Sequence, residues 1–501
     1  MPANRLSKDS RNGALWFKSG GLNRNYLIRM PLGDGLAFLD SKYNWMYDTK
    51  TDPTLAYRSA DWPRGSVLCE SSSINAIAYV RGQVCDVDDC RDAGNPDWDW
   101  EDAPPCYKNS EDHVWKTSSH QSAGVRDACQ RFHSTGLYLV QTFIETSLDM
   151  GGQKTQYFNG EHTKGVDIWK MSNLNGNRAL SSNAFLRAVM HRPSPRVLNH
   201  VQVTCVVYEG GQAVGVQFVV NGASQILKAW KEAVFGVGGI TPPQSRQLSC
   251  VGDDALLQRL RISVCQHLSR VRQGLQDRLC VSRIFKSNVR ALSNDLYSPH
   301  DKLKTGLQYL CSRSVPLSTN FNWAGAFARS RTDRVHPNLY LYSNPISYSI
   351  NAIKPRRMGS PDCFPTFSMS FNTCRATSRG SVHIQSPNPL TITNIFSIAG
   401  HLRDVFDGSQ VLRRVAATRP LGDVEEGEHR LGPQAQTPVQ VMQDFRQRTD
   451  AVFSCVLHLC NGERLRKLGG GCASLMRRLF LQSLTETPMR PQLCWLNKVA
   501  T

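Results

Sequence analysis

The opening twenty residues choose a layout. Asn4-Arg-Leu-Ser-Lys-Asp-Ser10 reads as the end of a helix, Ala14-Leu-Trp-Phe17 as an apolar strand, and Gly20-Gly21 as the turn after it. Helix, strand and turn in this order make the second half of a βαβ unit, whose two strands run parallel. On this reading the first half, a strand leading into a glycine-rich turn, is expected to be missing, the sequence opening at Met1.

At 501 residues the chain is too long for one ordinary core, so two domains interleaved in sequence are expected. Residues 60–125 are turn-rich, with Asn95-Pro-Asp-Trp-Asp-Trp100 as an aromatic loop. Val201-Gln-Val-Thr-Cys-Val-Val-Tyr208 and Ala213-Val-Gly-Val-Gln-Phe-Val-Val220 alternate on either side of Gly210-Gly211 and read as a hairpin. Glu232-Ala-Val-Phe-Gly-Val-Gly238 reads as a third strand ahead of a Pro242-Pro243 turn. Helical periodicity runs from Asp253 to Gln266, with Leu256, Leu257, Leu260 and Val264 on one side. From Ala291 to Arg419 strand-like alternation marks a second domain, as in Asn338-Leu-Tyr-Leu-Tyr342 and Gly380-Ser-Val-His-Ile-Gln385. Glu425 to Gln436 is polar, with two glycines and a proline, and reads as a linker or loop.

A formal charge of +18, from 59 basic against 41 acidic residues, raises the question of an anionic partner. Arg270, Arg272, Arg278, Arg283 and Arg290 are scattered, without interleaved aromatics or a nucleic-acid motif. A basic solvated surface is therefore expected and no nucleic acid. No run of about 18 apolar residues and no basic-then-apolar leader occur, so neither a membrane span nor secretion is expected, and the cytoplasm is the default. The 16 cysteines lack paired zinc-like spacings and are expected as thiols. Cys455-x-x-His458-x-Cys460 has no second pair of ligands, so no metal is expected.

The stretch Pro63-Arg-Gly-Ser-Val-Leu-Cys-Glu-Ser-Ser-Ser-Ile-Asn-Ala-Ile-Ala-Tyr-Val-Arg-Gly82 resembles the flavin-cradling loop of the glucose-methanol-choline (GMC) oxidoreductases, roughly P-R-G-x-x-x-G-G-S-S-x-I-N-A. Ser71, Ser72, Ser73, Ile74, Asn75 and Ala76 match, while Cys69 and Glu70 replace two glycines. Further blocks follow in the family's order: Asp88-Asp89, Ala93-Gly-Asn-Pro96, Lys108-Asn-Ser-Glu-Asp112, Phe158-Asn-Gly160, Ser181-Ser-Asn-Ala-Phe-Leu186 and Thr377-Ser-Arg-Gly-Ser-Val-His-Ile384. The second family signature resembles Gly238-Gly-Ile-Thr-Pro-Pro-Gln244 with Gln247-Leu-Ser-Cys-Val-Gly252, where Cys250 replaces a glycine, and a later block keeps Leu275-Gln276-Asp277. From Asn4 to about Phe453 the chain is similar to bacterial choline and alcohol dehydrogenases of this family.

The resemblance implies an α/β fold, α+β overall. A doubly wound FAD-binding domain, incomplete at its N-terminus, would take residues 1–150, 197–290 and 437–501, and an antiparallel-sheet substrate domain 151–196 and 291–436. The implied reaction is FAD-dependent oxidation of an alcohol CH–OH group, with a small-molecule alcohol and an electron acceptor as partners. Val67, Ser71, Ser72, Asn75, Ala76, Ile77 and Ala78 would line the cofactor, and the Val203 backbone would meet adenine, although Val203 reads equally well as an ordinary strand valine. The acid that accepts the adenosine ribose hydroxyls in such folds is Lys18 here, whose ammonium only donates, and Lys18 reads as a solvated strand-end lysine.

The family's catalytic base falls on Ser454, within Ala451-Val-Phe-Ser-Cys-Val-Leu-His-Leu-Cys460, and its second His or Asn on Thr487; neither side chain is competent for that proton transfer. His458, four positions on, reads as a loop histidine too distant to substitute. Cys69, Cys90, Cys106 and Cys250 each lie one nucleotide from the glycine, tryptophan or tyrosine they replace. With the missing front end and a tail that looks frame-shifted after Phe453, they resemble a decayed copy or misread gene model. Two readings stand beside an impaired dehydrogenase: an inactive protein of the same fold without bound FAD, and a basic surface-binding protein.

Overall fold

The computed structural model describes residues 2–457, apart from 12, 93–98, 114–127, 131–137, 161–162, 211, 230–238, 315, 349–359, 376–377, 388–391, 396–401, 431, 433–434 and 453–455. Among these residues the largest sheet is antiparallel. Its strands lie in the spatial order Glu425–Arg430, Leu279–Ser287, Thr366–Thr373, Leu339–Asn344, Ala324–Ala328 and Gly165–Ile168. Thr366–Thr373 is buried along its whole length, as a strand covered on both faces must be. Helix Leu402–Ala417 packs so closely on one face that a Cβ at Gly408 would strike the Phe371 ring. Aromatic side chains form a separate cluster of Phe158, Trp169, Phe327, Tyr340 and Tyr342, with the Phe158 and Trp169 rings stacked at 4.2 Å.

A short parallel pair supplies the α/β element foreshadowed at the N-terminus. Leu15–Lys18 runs beside Arg196–Asn199, with Leu15 opposite Arg196 and Lys18 opposite Asn199. Helix Pro2–Leu6 precedes it, and Asn4 Nδ2 donates to the Phe185 carbonyl at 2.7 Å. Ala3, Leu68, Cys69 and Leu186 pack with Trp16 and Val197 in a small core around the pair.

The expected hairpin forms: Gln202–Glu209 pairs antiparallel with Gln212–Val220, turning at Gly210 with φ +57. Its third strand is Ala223–Lys228, exposed at every residue, whereas the expected strand at 232–238 lies outside the described residues. The helix expected from Asp253 to Gln266 is shorter. Asp253 caps it by accepting the Leu256 N–H at 3.0 Å, helix Asp254–Arg259 follows, and Arg261 at φ +58 ends the winding. Leu260 and Val264 still pack against Leu256 and Leu257, which is why the apolar period outlasts the helix. The expected linker at 425–436 is also corrected, since Glu425–Arg430 is a strand pairing with Leu279–Ser287. Among the described residues no helix is long and apolar enough to cross a membrane.

Candidate cofactor cleft

In open α/β sheets ligands bind beyond the carboxyl ends of the strands. At that end of the parallel pair the loop after Pro63 crosses the Gly20-Gly21 turn, backbone on backbone. Leu68 N–H donates to the Gly21 carbonyl at 2.9 Å, and a Cβ on Gly20 would collide with the Ser66 carbonyl. Gly65 is confined in the same way by the Glu70 carbonyl.

The serines hold the loop to itself. Ser71 Oγ accepts the Gly65 N–H at 3.3 Å, Ser72 Oγ donates to the Cys69 carbonyl at 2.8 Å and lies 3.1 Å from Ser181 Oγ, and Ser73 Oγ donates to the Leu68 carbonyl at 3.0 Å. Asn75 is fixed by Arg178, whose Nη1 donates to its Oδ1 at 2.9 Å and to its carbonyl. Asn320 Nδ2 donates to the Ala76 carbonyl at 2.6 Å. Val67 is buried with Ile28, Ala37, Ile74 and Leu180, and Ile77 and Ala78 are also buried. Their side chains are packed inside the protein, and at Ile77 the backbone N–H and carbonyl are engaged as well.

Backbone geometry records the missing glycines. Cys69 (φ +75), Glu70 (φ +51) and Cys250 (φ +67) all sit in the left-handed region that glycine enters without steric cost. The conformation is the one glycine favours, held here by residues that carry a Cβ. Ile77 at φ +51 is rarer still for a β-branched side chain, and it is held by its N–H to Asn75 Oδ1 at 3.2 Å and its carbonyl to the Ser172 N–H at 2.9 Å. Strain of this kind persists where surrounding contacts over-determine it, often at ligand sites.

Behind the loop, Arg178 Nη2 donates to the Pro31 carbonyl at 2.9 Å and stands 3.9 Å from Asp34. Burial pushes the Asp34 carboxyl up to about 6, an effect Arg178 only partly offsets. The same burial pulls the Arg178 guanidinium down.

Lys18 departs from expectation. Its ammonium is 6% exposed instead of solvated, and its Nζ lies 3.1 Å from Oε1 of Glu70, itself 29% exposed. The loop lies over the strand end, and a buried ammonium is retained only with a partner. Two of the sequence's departures, a lysine for an acid and a glutamate for a glycine, thus meet in space. Their opposite signs were the only sequence signal of that contact. The kept loop residues have the chemistry to hold the flavin part of FAD, whereas the strand end expected to meet the adenosine ribose offers a paired ammonium instead of a free carboxylate.

Val203 lies on Gln202–Glu209 opposite Phe218 and packs against the cluster of Val201, Val216 and Phe218, as does Phe17, next to Lys18 in sequence. Ser454, Thr487, His458 and the Cys455/Cys460 pair lie outside the described residues. Just beyond Ser454, Val456 and Leu457 pair with Gln276 and Leu275, bringing that segment to the kept Leu275-Gln276-Asp277 block.

The GMC oxidoreductase family model matches residues 43–280. An alcohol dehydrogenase [acceptor] of Pseudomonas putida is 28% identical over 465 residues, 90% of this chain and 82% of that protein. An oxygen-dependent choline dehydrogenase of Vibrio vulnificus is 28% identical over 458 residues, covering 90% and 80%. In three dimensions the chain is similar to pyridoxine 4-oxidase from Mesorbium loti, with TM-score 0.82, 20% identity, and 99% and 95% of the two chains covered. It is also similar to a formate oxidase from Aspergillus oryzae, with TM-score 0.85, 16% identity, and 99% and 94% covered. These structural likenesses carry the fold.

Proposed function

Because the chain belongs to the glucose-methanol-choline oxidoreductase family, we propose that it is an FAD-dependent oxidoreductase acting on the CH–OH group of a small alcohol, of the choline or alcohol dehydrogenase kind. The geometric observation that carries this reading is the loop over the parallel strand ends, with Ser71, Ser72, Asn75 and Ala76 retained and backbone still in the glycine conformation at Cys69 and Glu70. Val67, Ile77 and Ala78 and the backbone of Val203 complete the proposed lining. The proposed partition gives 1–150, 197–290 and 437–501 to the cofactor and 151–196 with 291–436 to the substrate. A cytoplasmic protein passing electrons to a separate acceptor is the setting that goes with it.

Ser454 and Thr487 stand where the family's proton-transfer groups fall, and a serine hydroxyl is a far weaker base than an imidazole. Slow turnover follows from that exchange. The test is anaerobic: the purified chain is saturated with FAD, and choline, benzyl alcohol and pyridoxine are added in turn while the visible flavin bands are recorded for hours. Bleaching faster than in a protein-free control supports the reading, and bands unchanged with every alcohol overturn it.

A further inference from the structure

We propose that Lys18 and Glu70 form an internal ion pair that competes with FAD for the adenosine-ribose end of the cleft, so that the chain takes up the cofactor only by giving up this pair. The inference rests on the FAD reading above and concerns the grip on the cofactor, not the reaction.

Three observations converge on it. The Lys18 ammonium is almost fully buried and its bond to Glu70 Oε1 is 3.1 Å, so neither charge is an idle surface group. Lys18 closes the strand whose carboxyl end carries the Gly20-Gly21 turn, the place where a dinucleotide's ribose meets the sheet. Glu70 reaches it from the loop that crosses this turn, on a backbone at φ +51. A ribose 2′,3′-diol seeks acceptors, and the carboxylate present is already engaged by the ammonium.

Neither single replacement isolates the pair. Glu70→Gly leaves the buried ammonium without a partner, and Lys18→Glu sets two carboxylates together. The informative variant is Lys18→Glu/Glu70→Gly, which removes the pair, supplies a free acid at the strand end and puts glycine at a positive-φ position. A second variant, Lys18→Met/Glu70→Gln, removes both charges at nearly constant volume and serves if the first fails to fold. FAD dissociation constants are measured by quenching of flavin fluorescence, with melting temperatures of the singles and doubles in the absence of FAD.

The expected result is binding at least tenfold tighter in Lys18→Glu/Glu70→Gly than in the unaltered chain, and a smaller but clear gain in Lys18→Met/Glu70→Gln. Each single variant should melt below its double. Equal dissociation constants, no binding by any form, or weaker binding in both doubles would overturn the proposal; the last outcome would make Glu70 a ligand of FAD instead of its competitor. Alcohol bleaching tests the reaction and the ratio of dissociation constants tests the pair, so either can fail while the other stands.

Discussion

A left-handed backbone costs a residue with a Cβ roughly 1–2 kcal/mol, and what replacing it with glycine returns depends on what the side chain does. Cys250 is half-buried, and its thiol makes weak contacts alone, lying 3.5 Å from Ser263 Oγ and beside the Cys265 thiol. Cys250→Gly should therefore stabilise the protein by about 0.5–1 kcal/mol once the greater freedom of unfolded glycine is subtracted, read as a rise in melting temperature. Cys69 is buried among Leu68, Leu186 and Trp16, so Cys69→Gly should be close to neutral, relief of strain offsetting lost apolar burial. A lower melting temperature for Cys250→Gly would remove the strain argument. Asp34 offers a test by pH. Its folded pKa, about 6, lies above its ordinary 3.8, so the folded state holds the proton more tightly than the unfolded state does. Its contribution is complete below about pH 4 and is lost as pH rises through 6, about 3 kcal/mol in all. The stability of the unaltered protein minus that of Asp34→Asn should fall by about that amount between pH 4 and pH 7. A flat difference would contradict it. The glycine replacements were legible in the sequence, and the Asp34–Arg178 contact was not, because nothing in a chain separated by this many residues marks two charges as neighbours.

Among the elements, those with alternating apolar residues were readable: the 202–220 hairpin, Leu339–Asn344 and Gly380–Ile384 fall where the pattern put them. Glu425–Arg430 did not, because its sequence EEGEHR has no apolar face. Its place in the sheet depends on ions instead. Glu428 pairs with fully buried Arg283 of the adjoining strand and accepts from Arg413 Nε at 3.1 Å. Glu428→Gln would leave two guanidinium groups facing each other without the carboxylate that bonds both, Asp444 remaining as a neighbouring charge to Arg283, at a cost of about 3 kcal/mol. Arg283→Met/Glu428→Leu should lose much less, since apolar side chains of similar volume can replace a buried pair and Arg413 keeps the Gln436 side chain and the Gly432 carbonyl as acceptors. Denaturant unfolding of both variants decides the matter, and equal losses would show that the ion pair does not fasten this strand.

At the scale of the molecule, the sequence held the two kinds of sheet but not their assembly, because the pairings that build it are remote. Leu15–Lys18 finds Arg196–Asn199 across about 180 residues, and local pattern carries no record of such a partner. The buried cations are matched by acids and leave the net charge untouched: Arg81 pairs with buried Glu111 at 2.8 Å and Lys170 with buried Asp167 at 3.1 Å, as Lys18, Arg178 and Arg283 do with their own acids. Protection against amide hydrogen exchange follows local opening, so burial and bonding should rank the segments regardless of whether they are regular. Thr366–Thr373, buried at every residue and paired on both sides, should exchange most slowly. Ala223–Lys228, exposed throughout and paired on one side only, should exchange fast although it is a regular strand. Residues 65–77 are mostly irregular, yet the crossing at Gly20 and Gly65, the serine bonds and the Arg178 and Asn320 anchors should hold them nearer the first class than the second. Mass spectrometry of exchange in the unliganded chain reads this order directly. If 65–77 exchanges as fast as 223–228, the loop is not the preformed cradle from which the cofactor cleft was built.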